Sequence, residues 1–240
     1  MIPKIGYSIL DLKKFSKEKL PFETYELRAS SIKPNIKIIA DLKEKFDGED
    51  LSLHSGLSRI FSCRKKGYPE FSDSEMNILK YEIIISKIIG IKRINFHMTN
   101  YELEKEDILK FKKIIEFAKN EGIELIYENH VCSSRAIFYI AEKFPELKMC
   151  LDLGHLNIAI SQNAFGMDLD EFLEKIKDKI IHIHAHNNDG KMDLHQGIDK
   201  GRFDWKNVIK KLPNVEKIIV EVRDIEDAIE TKKILENFLI

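Results

Sequence analysis

Six short apolar runs of this chain close on residues able to bind a divalent metal: Leu51–His54, Ile94–His97, Leu125–Glu128, Met149–His155, Ile180–His184 and Ile218–Glu221. An Asp193-x-His195 pair follows the fifth. Ionisable side chains at the ends of buried segments are costly unless they are paired or put to use. Imidazole and carboxylate are also the usual nitrogen and oxygen ligands of zinc and manganese. Glu128, Asp152 and Glu221 would bring three carboxylates to one imidazole, His184. Such a set cannot all stay ionised in a dry pocket without a cation, and a divalent metal supplies one. His54 and His97 suit a second ion bridged through Glu128, and His155 with Asp193 and His195 suits a third. Singly, each has a plainer reading as a hydrogen-bonded wall histidine, a paired acid or a solvated loop. Convergence is what points to metal.

The elements that must position these residues alternate along the chain. Strands are expected near Lys4–Ser8, Glu23–Arg28, Leu51–His54, Arg93–His97, Glu124–Asn129, Lys148–Leu153, Lys179–His186 and Lys217–Val222. Amphipathic helices are expected over Asp11–Lys19, Asn35–Phe46, Ser74–Ile89, Lys105–Asn120, Ser133–Phe144, Asp168–Lys177, Trp205–Lys211 and Ile225–Phe238. Gly90 and Gly122 suit helix C-caps, and Asp73 or Ser74 and Asp204 suit N-caps. Eight strands alternating with eight helices predict one (β/α)8 TIM barrel across residues 1–240, with its active site at the C-terminal ends of the strands.

Parity sharpens the reading, because alternate strand residues face opposite sides. His182, His184 and His186 share one face of the seventh strand, and Ile181, Ile183 and Ala185 the other. The histidine face is expected to line the barrel interior. The same parity turns inward Ser52 with His54, Asn95 with His97, Ile126 with Glu128, Cys150 with Asp152 and Ile219 with Glu221. His182, two positions deeper, reads as a core histidine, and His186 rivals His184 as ligand. Asn129, Asn187, Asn188 and Asp189 are candidate supports for the ligands, although Asn-Asn-Asp-Gly is also ordinary turn chemistry.

Composition narrows the setting. With 39 basic and 40 acidic residues the 240-residue chain has no global field for nucleic acid, so any such contact needs a local patch. The loop Ser58–Asp73 offers one: Arg59, Arg64, Lys65 and Lys66 interleave with Phe61, Tyr68 and Phe71, a mix that suits phosphates and bases as well as plain solvent. Three cysteines, Cys63, Cys132 and Cys150, without paired spacing favour a reducing cytoplasm. No run approaches the roughly 20 apolar residues of a membrane span, and a strand pattern beginning almost at once leaves no room for a signal peptide. GxSxG, GxxxxGK[ST] and GxGxxG motifs are absent.

These residues resemble the xylose isomerase-like TIM-barrel superfamily and, within it, the apurinic endonuclease family 2 group typified by endonuclease IV. The resemblance spans essentially the whole chain. It implies a trinuclear zinc cluster, with ligands at His54, His97, Glu128, Asp152, His155, His184, Asp193, His195 and Glu221. Tyr127-Glu128-Asn129 matches a Glu-Asn motif whose glutamate bridges two metals, and Asp152-Leu153-Gly154-His155 fits Asp-x-x-His. His184 with Asn187 resembles the seventh-strand histidine motif. Departures are also present. Ser55-Gly56-Leu57 stands where endonuclease IV has Ala-Pro-Tyr, and His97-Met98-Thr99 where it has His-Pro-Gly. Asp-Leu-Gly-His looks more like the sugar-phosphate isomerase and epimerase relatives, which bind one metal through the positions of Glu128, Asp152, His184 and Glu221.

Three readings follow. In the first the protein is a phosphoesterase with two to three zinc ions, acting on DNA through the 58–73 loop or on another phosphate ester. The second is a sugar isomerase or epimerase with one Mn²⁺, Mg²⁺ or Co²⁺, in which Glu128 and Glu221 move a proton and His155 holds substrate oxygens. The third is a non-catalytic metal-binding barrel. Glu128, Glu221 and His155 are the expected catalytic residues. Oligomeric state is left open.

Overall fold

A computed structural model describes residues 2–9, 12, 20–32, 35–57, 73–98 and 103–240. Eight parallel strands close in chain order: β1 (Lys4–Ile9), β2 (Thr24–Arg28), β3 (Leu51–His54), β4 (Arg93–His97), β5 (Glu124–Glu128), β6 (Lys148–Asp152), β7 (Ile180–Ala185) and β8 (Lys217–Val220). The helices among the described residues are α1 (Ile36–Lys45), α2 (Asp73–Ile89), α3 (Lys105–Asn120), α4 (Ser134–Lys143), α5 (Leu153–Ser161), α6 (Leu169–Ile176), α7 (Trp205–Lys210) and α8 (Ile225–Leu239). Apart from Leu12, the expected helix over Asp11–Lys19 lies outside the described residues, as do residues 58–72 of the basic loop, Cys63 among them. No helix among the described residues is long and apolar enough to cross a membrane.

Local chemistry explains the boundaries. Asn35, Ser133, Asp168, Asp204 and Asp224 each accept a backbone N–H in the first turn of the helix that follows. Gly90 and Gly122 end α2 and α3 with φ of 99° and 75°, a conformation that glycine reaches without a Cβ clash. Asp73, expected as a cap, is instead inside the first turn of α2. Outward-facing strand residues such as Leu27, Leu53, Ile94, Phe96 and Leu151 pack on the helices in one continuous core. Each contributes roughly 1.5–3 kcal/mol of burial. A smaller cluster, Ile126, Cys150 and Ile181, plugs the barrel interior.

Ile181 corrects the simple parity argument, which turned it outward. The register between β6 and β7 jumps, with Met149 opposite Ile180 but Cys150 opposite His182. The extra residue is a β-bulge, and it turns Ile181 toward Ile126 and Cys150. Beyond the bulge Cys150–Asp152 pair in step with His182–His184. At the floor of the barrel, the N-terminal ends of the strands close on fixed charges. Arg93 donates to Glu124 at 2.8 Å and to Glu216 at 2.6 Å, and Lys217 and Lys4 both reach Asp50.

Candidate metal centre

At the opposite end the acids meet histidines. Glu128 closes β5 with His54 Nε2 3.4 Å from its Oε2, and with His97 Nε2 at 3.4 Å and His184 Nδ1 at 2.9 Å from its Oε1. His184 Nδ1 also lies 3.8 Å from Asp152 Oδ2 and 3.8 Å from Glu221 Oε2. One imidazole nitrogen therefore faces the convergence of three carboxylates. Two ligands each about 2.1 Å from a single ion lie roughly 3–3.5 Å apart, so the spacing suits a shared cation.

A second group sits further out. Asp152 Oδ1 and Oδ2 are both 3.1 Å from His186 Nε2, and Asp152 also caps α5 by accepting from the His155 amide at 2.6 Å. The expected turn around Gly154 is thus the first turn of a helix that begins directly on the β6 carboxylate. Gly154 is required there, because a Cβ would stand 1.9 Å from the His186 ring. Asp193 Oδ2 lies 2.9 Å from His195 Nε2 and 3.5 Å from His155 Nε2, and Asp193 Oδ1 lies 3.8 Å from His186 Nδ1. Reciprocal backbone bonds between Asn187 and Gln196 fold this loop back over the barrel. His195 adopts φ of 50°, an uncommon conformation for a non-glycine residue, with its Nδ1 2.9 Å from the Glu221 carbonyl.

Support comes from groups that need no metal to be useful. Asn129 accepts from the Asp152 amide at 2.7 Å and donates to its carbonyl, fixing β6 against β5. Arg28 pairs with Glu221, and Ser8 donates to the same Oε1. Behind His54, the α2 residue Glu82 accepts from Ser55 Oγ at 2.6 Å and from the Gly56 amide at 2.9 Å. Burial pushes the Glu82 carboxyl up to about 7 despite those two bonds.

Electrostatics divide the acids from their partners. Burial alone would raise Glu128, but His184, His97 and His54 hold it well below the ordinary carboxylate range. Asp152 behaves likewise, with His155 and His186 opposing burial. Burial would raise Glu221 too, yet Arg28 and His184 bring it down to about 2. Burial depresses His97 to about 3, whereas Asp152 and Asp193 overcome burial and lift His155 to about 10. His184 is likewise held well above its usual value, because Cys150, Glu128 and Glu26 outweigh its burial.

All the sequence-selected residues come together here: His54, His97, Glu128, Asp152, His155, His184, Asp193, His195 and Glu221. His182 is fully buried as expected of a core residue, but its Nδ1 has no hydrogen-bond partner among the described residues. His184 and His186 divide the seventh strand's work, the first facing Glu128 and the second Asp152 and Asp193. Sequence reasoning missed Glu26, Arg28 and His130. Glu26 is fully buried on β2, 3.0 Å from His184 Nε2, and the parity Thr24, Glu26, Arg28 would have revealed it. His130 lies against His97 and His155, at ring-centroid separations of 5.4 and 4.7 Å.

Comparison with known proteins agrees with this architecture. Over 228 residues the chain is 25% identical to the uncharacterized protein MJ1311 of Methanocaldococcus jannaschii, covering 85% of this chain and 75% of that protein. A D-tagatose 3-epimerase-like protein has a similar structure, with a TM-score of 0.76 and 21% identity over 98% of this chain and 97% of the other. The TTHB071 protein of Thermus thermophilus, from a crystal soaked in zinc chloride, superposes with a TM-score of 0.72 at 17% identity, covering 99% of this chain and 98% of the other. The family profile described as xylose isomerase-like TIM barrel matches residues 17–237, and the chain belongs to that family.

Proposed function

We propose that this protein is a divalent-metal-dependent hydrolase of a phosphate ester whose centre takes more than one ion. One observation carries the reading. The donor groups His54–His97–Glu128 and His186–Asp193–His195 are each compact enough for an ion and share no residue, so the mouth offers separate donor sets for more than one. Buried polar atoms fit the same idea: Glu128 Oε2, His186 Nδ1 and Asp193 Oδ1 have no hydrogen-bond partner among the described residues. Glu128, Asp152, His184 and Glu221 would hold one ion. His54 and His97 would hold a second with Glu128, and Asp193 and His195 a third with His155 and the neighbouring His186. When bound, such ions supply positive charge against the charge that develops on a phosphate ester during in-line displacement.

The chain's own residues set the geometry. Glu128 is fixed from three sides by His54, His97 and His184, so its carboxylate stays ionised and oriented toward the mouth. Arg28 anchors Glu221 on the β8 side, and Asn129 locks the Asp152 backbone. DNA remains one candidate ester, with the 58–73 loop as its proposed contact.

A second reading, a sugar isomerase or epimerase with one ion, is favoured by the inner quartet alone. Glu128 and Glu221 both face His184 Nδ1, an arrangement that suits proton transfer by two carboxylates at one carbon. The D-tagatose 3-epimerase-like structure shares that fold. Two measurements separate the readings. Elemental analysis should find two to three equivalents of metal, zinc foremost. Replacing Asp193 and His195 together by Asn should then cost at least about a hundredfold in ester hydrolysis, since losing a Lewis acid is worth several kcal/mol at about 1.4 kcal/mol per tenfold. One equivalent, with ketose epimerisation that survives the double substitution, would transfer the function to the second reading. Inactivity on both substrate panels at full metal load would leave the non-catalytic barrel.

A further inference from the structure

Beneath the candidate metal centre lies a polar layer that no part of the proposed chemistry uses. Glu26 on β2 is fully buried, and four side chains from three other strands surround its carboxylate. Ser52 donates to Oε2 at 2.9 Å and Asn95 at 2.5 Å, while His182 Nε2 lies 3.6 Å from the same oxygen. Oε1 makes no hydrogen bond among the described residues and faces His184 Nε2 at 3.0 Å, with Asn95 Nδ2 3.1 Å from the same nitrogen. A carboxylate placed so deep in a barrel is costly unless its bonds serve a purpose. Ser52 and Asn95 fix one oxygen and leave the other aimed at the inner nitrogen of His184.

We propose that Glu26 is a positioning residue for the metal centre: it holds the His184 ring from below by Nε2, so that Nδ1 is directed upward to the ion shared with Glu128, Asp152 and Glu221. The geometry is that of a carboxylate–histidine–metal triad. There the outer carboxylate fixes the tautomer and orientation of the ring and makes the ligating nitrogen more basic. His184 is suited to this role and His186 is not. Both His184 nitrogens face carboxylates on opposite sides of the ring, Glu26 below and Glu128 above. His186 instead turns Nε2 onto Asp152 and stacks on His195 at 4.3 Å between centroids. The inference rests on His184 being a ligand, as proposed above, and adds what orients it.

The test uses the whole protein, labelled with ¹⁵N in its histidines and loaded with ¹¹³Cd as the probe metal. In the parent, ¹¹³Cd should couple to the Nδ1 of His184, and Nε2 of the same ring should carry a proton with the downfield shift of a bond to a carboxylate. The His184 signals are identified by their loss in His184→Asn. In Glu26→Gln, which keeps the shape of the side chain and its bonds to Ser52 and Asn95, that proton should move upfield. Zinc affinity, measured by competition with a chelator, should fall about 10- to 100-fold. Coupling of ¹¹³Cd to Nε2, an unprotonated Nε2 in the parent, or unchanged zinc affinity and proton shift in Glu26→Gln would overturn the proposal while leaving His184 a ligand. Coupling confined to other histidines would overturn it and leave a centre of more than one ion standing. No coupling at any histidine would remove the proposed function with it. The parent spectrum decides even if Glu26→Gln fails to fold.

Discussion

The two ends of this barrel both gather charged side chains, and they neutralise them in different ways. At the floor, Glu124, Glu216 and Asp50 are answered by Arg93, Lys217 and Lys4, cations whose ordinary pKa values lie above the physiological range. At the mouth, Glu128, Asp152 and Asp193 are answered by imidazoles, and Arg28 on Glu221 is the exception. A histidine that neutralises an acid by holding a proton can surrender that proton to take a metal, whereas a lysine or arginine cannot serve that way. The floor is a closed set of charges. The mouth is balanced in a form that an entering cation can take over by expelling protons.

Substitutions should separate the two ends. The largest effect belongs to the mouth. Glu128→Gln leaves a side chain of the same shape without its charge, and turnover should fall at least about a hundredfold whether Glu128 bridges metals or carries a proton. Circular dichroism should report an intact fold alongside the lost rate, and near-normal turnover would mean that the site lies elsewhere. Next in size is Glu82, between the mouth and the helix layer. Its folded-state value near 7 lies above an unfolded value near 4.5, so folding favours the protonated form. The stabilisation is complete below about 4.5 and is lost as pH rises through 7, a change of up to roughly 3 kcal/mol at 1.36 kcal/mol per unit. Glu82→Gln stays neutral and can keep both bonds, to Ser55 and Gly56. Urea unfolding at pH 5, 6 and 7.5 should show stability shifting in favour of the variant as pH rises, and a constant difference would remove Glu82 as the titrating group. The smallest effect is expected at the floor. Arg93→Met removes a cation whose two acids are about half exposed and can return to water, so the cost should be about 1 kcal/mol. Metal content and turnover should match the parent, and a loss of either would make the floor part of the site.

Much of this contrast can be read in the chain itself, and its gaps have physical causes. Strands that end on a ligand, such as Leu51–His54 and Arg93–His97, were placed to the residue because apolar runs stop where a side chain must face the mouth. Helix limits follow from capping chemistry at Asp204, Gly90 and Gly122. The helix of residues 153–161 escaped because its cap, Asp152, was already spoken for as a metal ligand, and a Gly at the second position reads as a turn. Ile181 escaped because a bulge breaks the two-residue period without leaving a mark in composition. Glu26 and Arg28 escaped for a simpler reason. Their strand does not end on a candidate ligand, and the parity argument covers only strands that do.

The double duty of Asp152 has a consequence for how the centre behaves mechanically. The amino end of α5 carries a partial positive charge from its aligned peptide dipoles, and it rests directly on this carboxylate. An aspartate is short enough to meet the amide of its own third successor, a geometry that a longer glutamate does not share, which accounts for an Asp closing β6 where β5 closes on a Glu and another stands just past β8. Oxygen Oδ1 is committed to the helix, and both oxygens face His186. Any cation drawing on Asp152 therefore pulls against the first turn of α5. The grip of this helix on the barrel and the affinity of the barrel for its ion are two readings of one carboxylate, and the exchange rate of the His155 amide registers both.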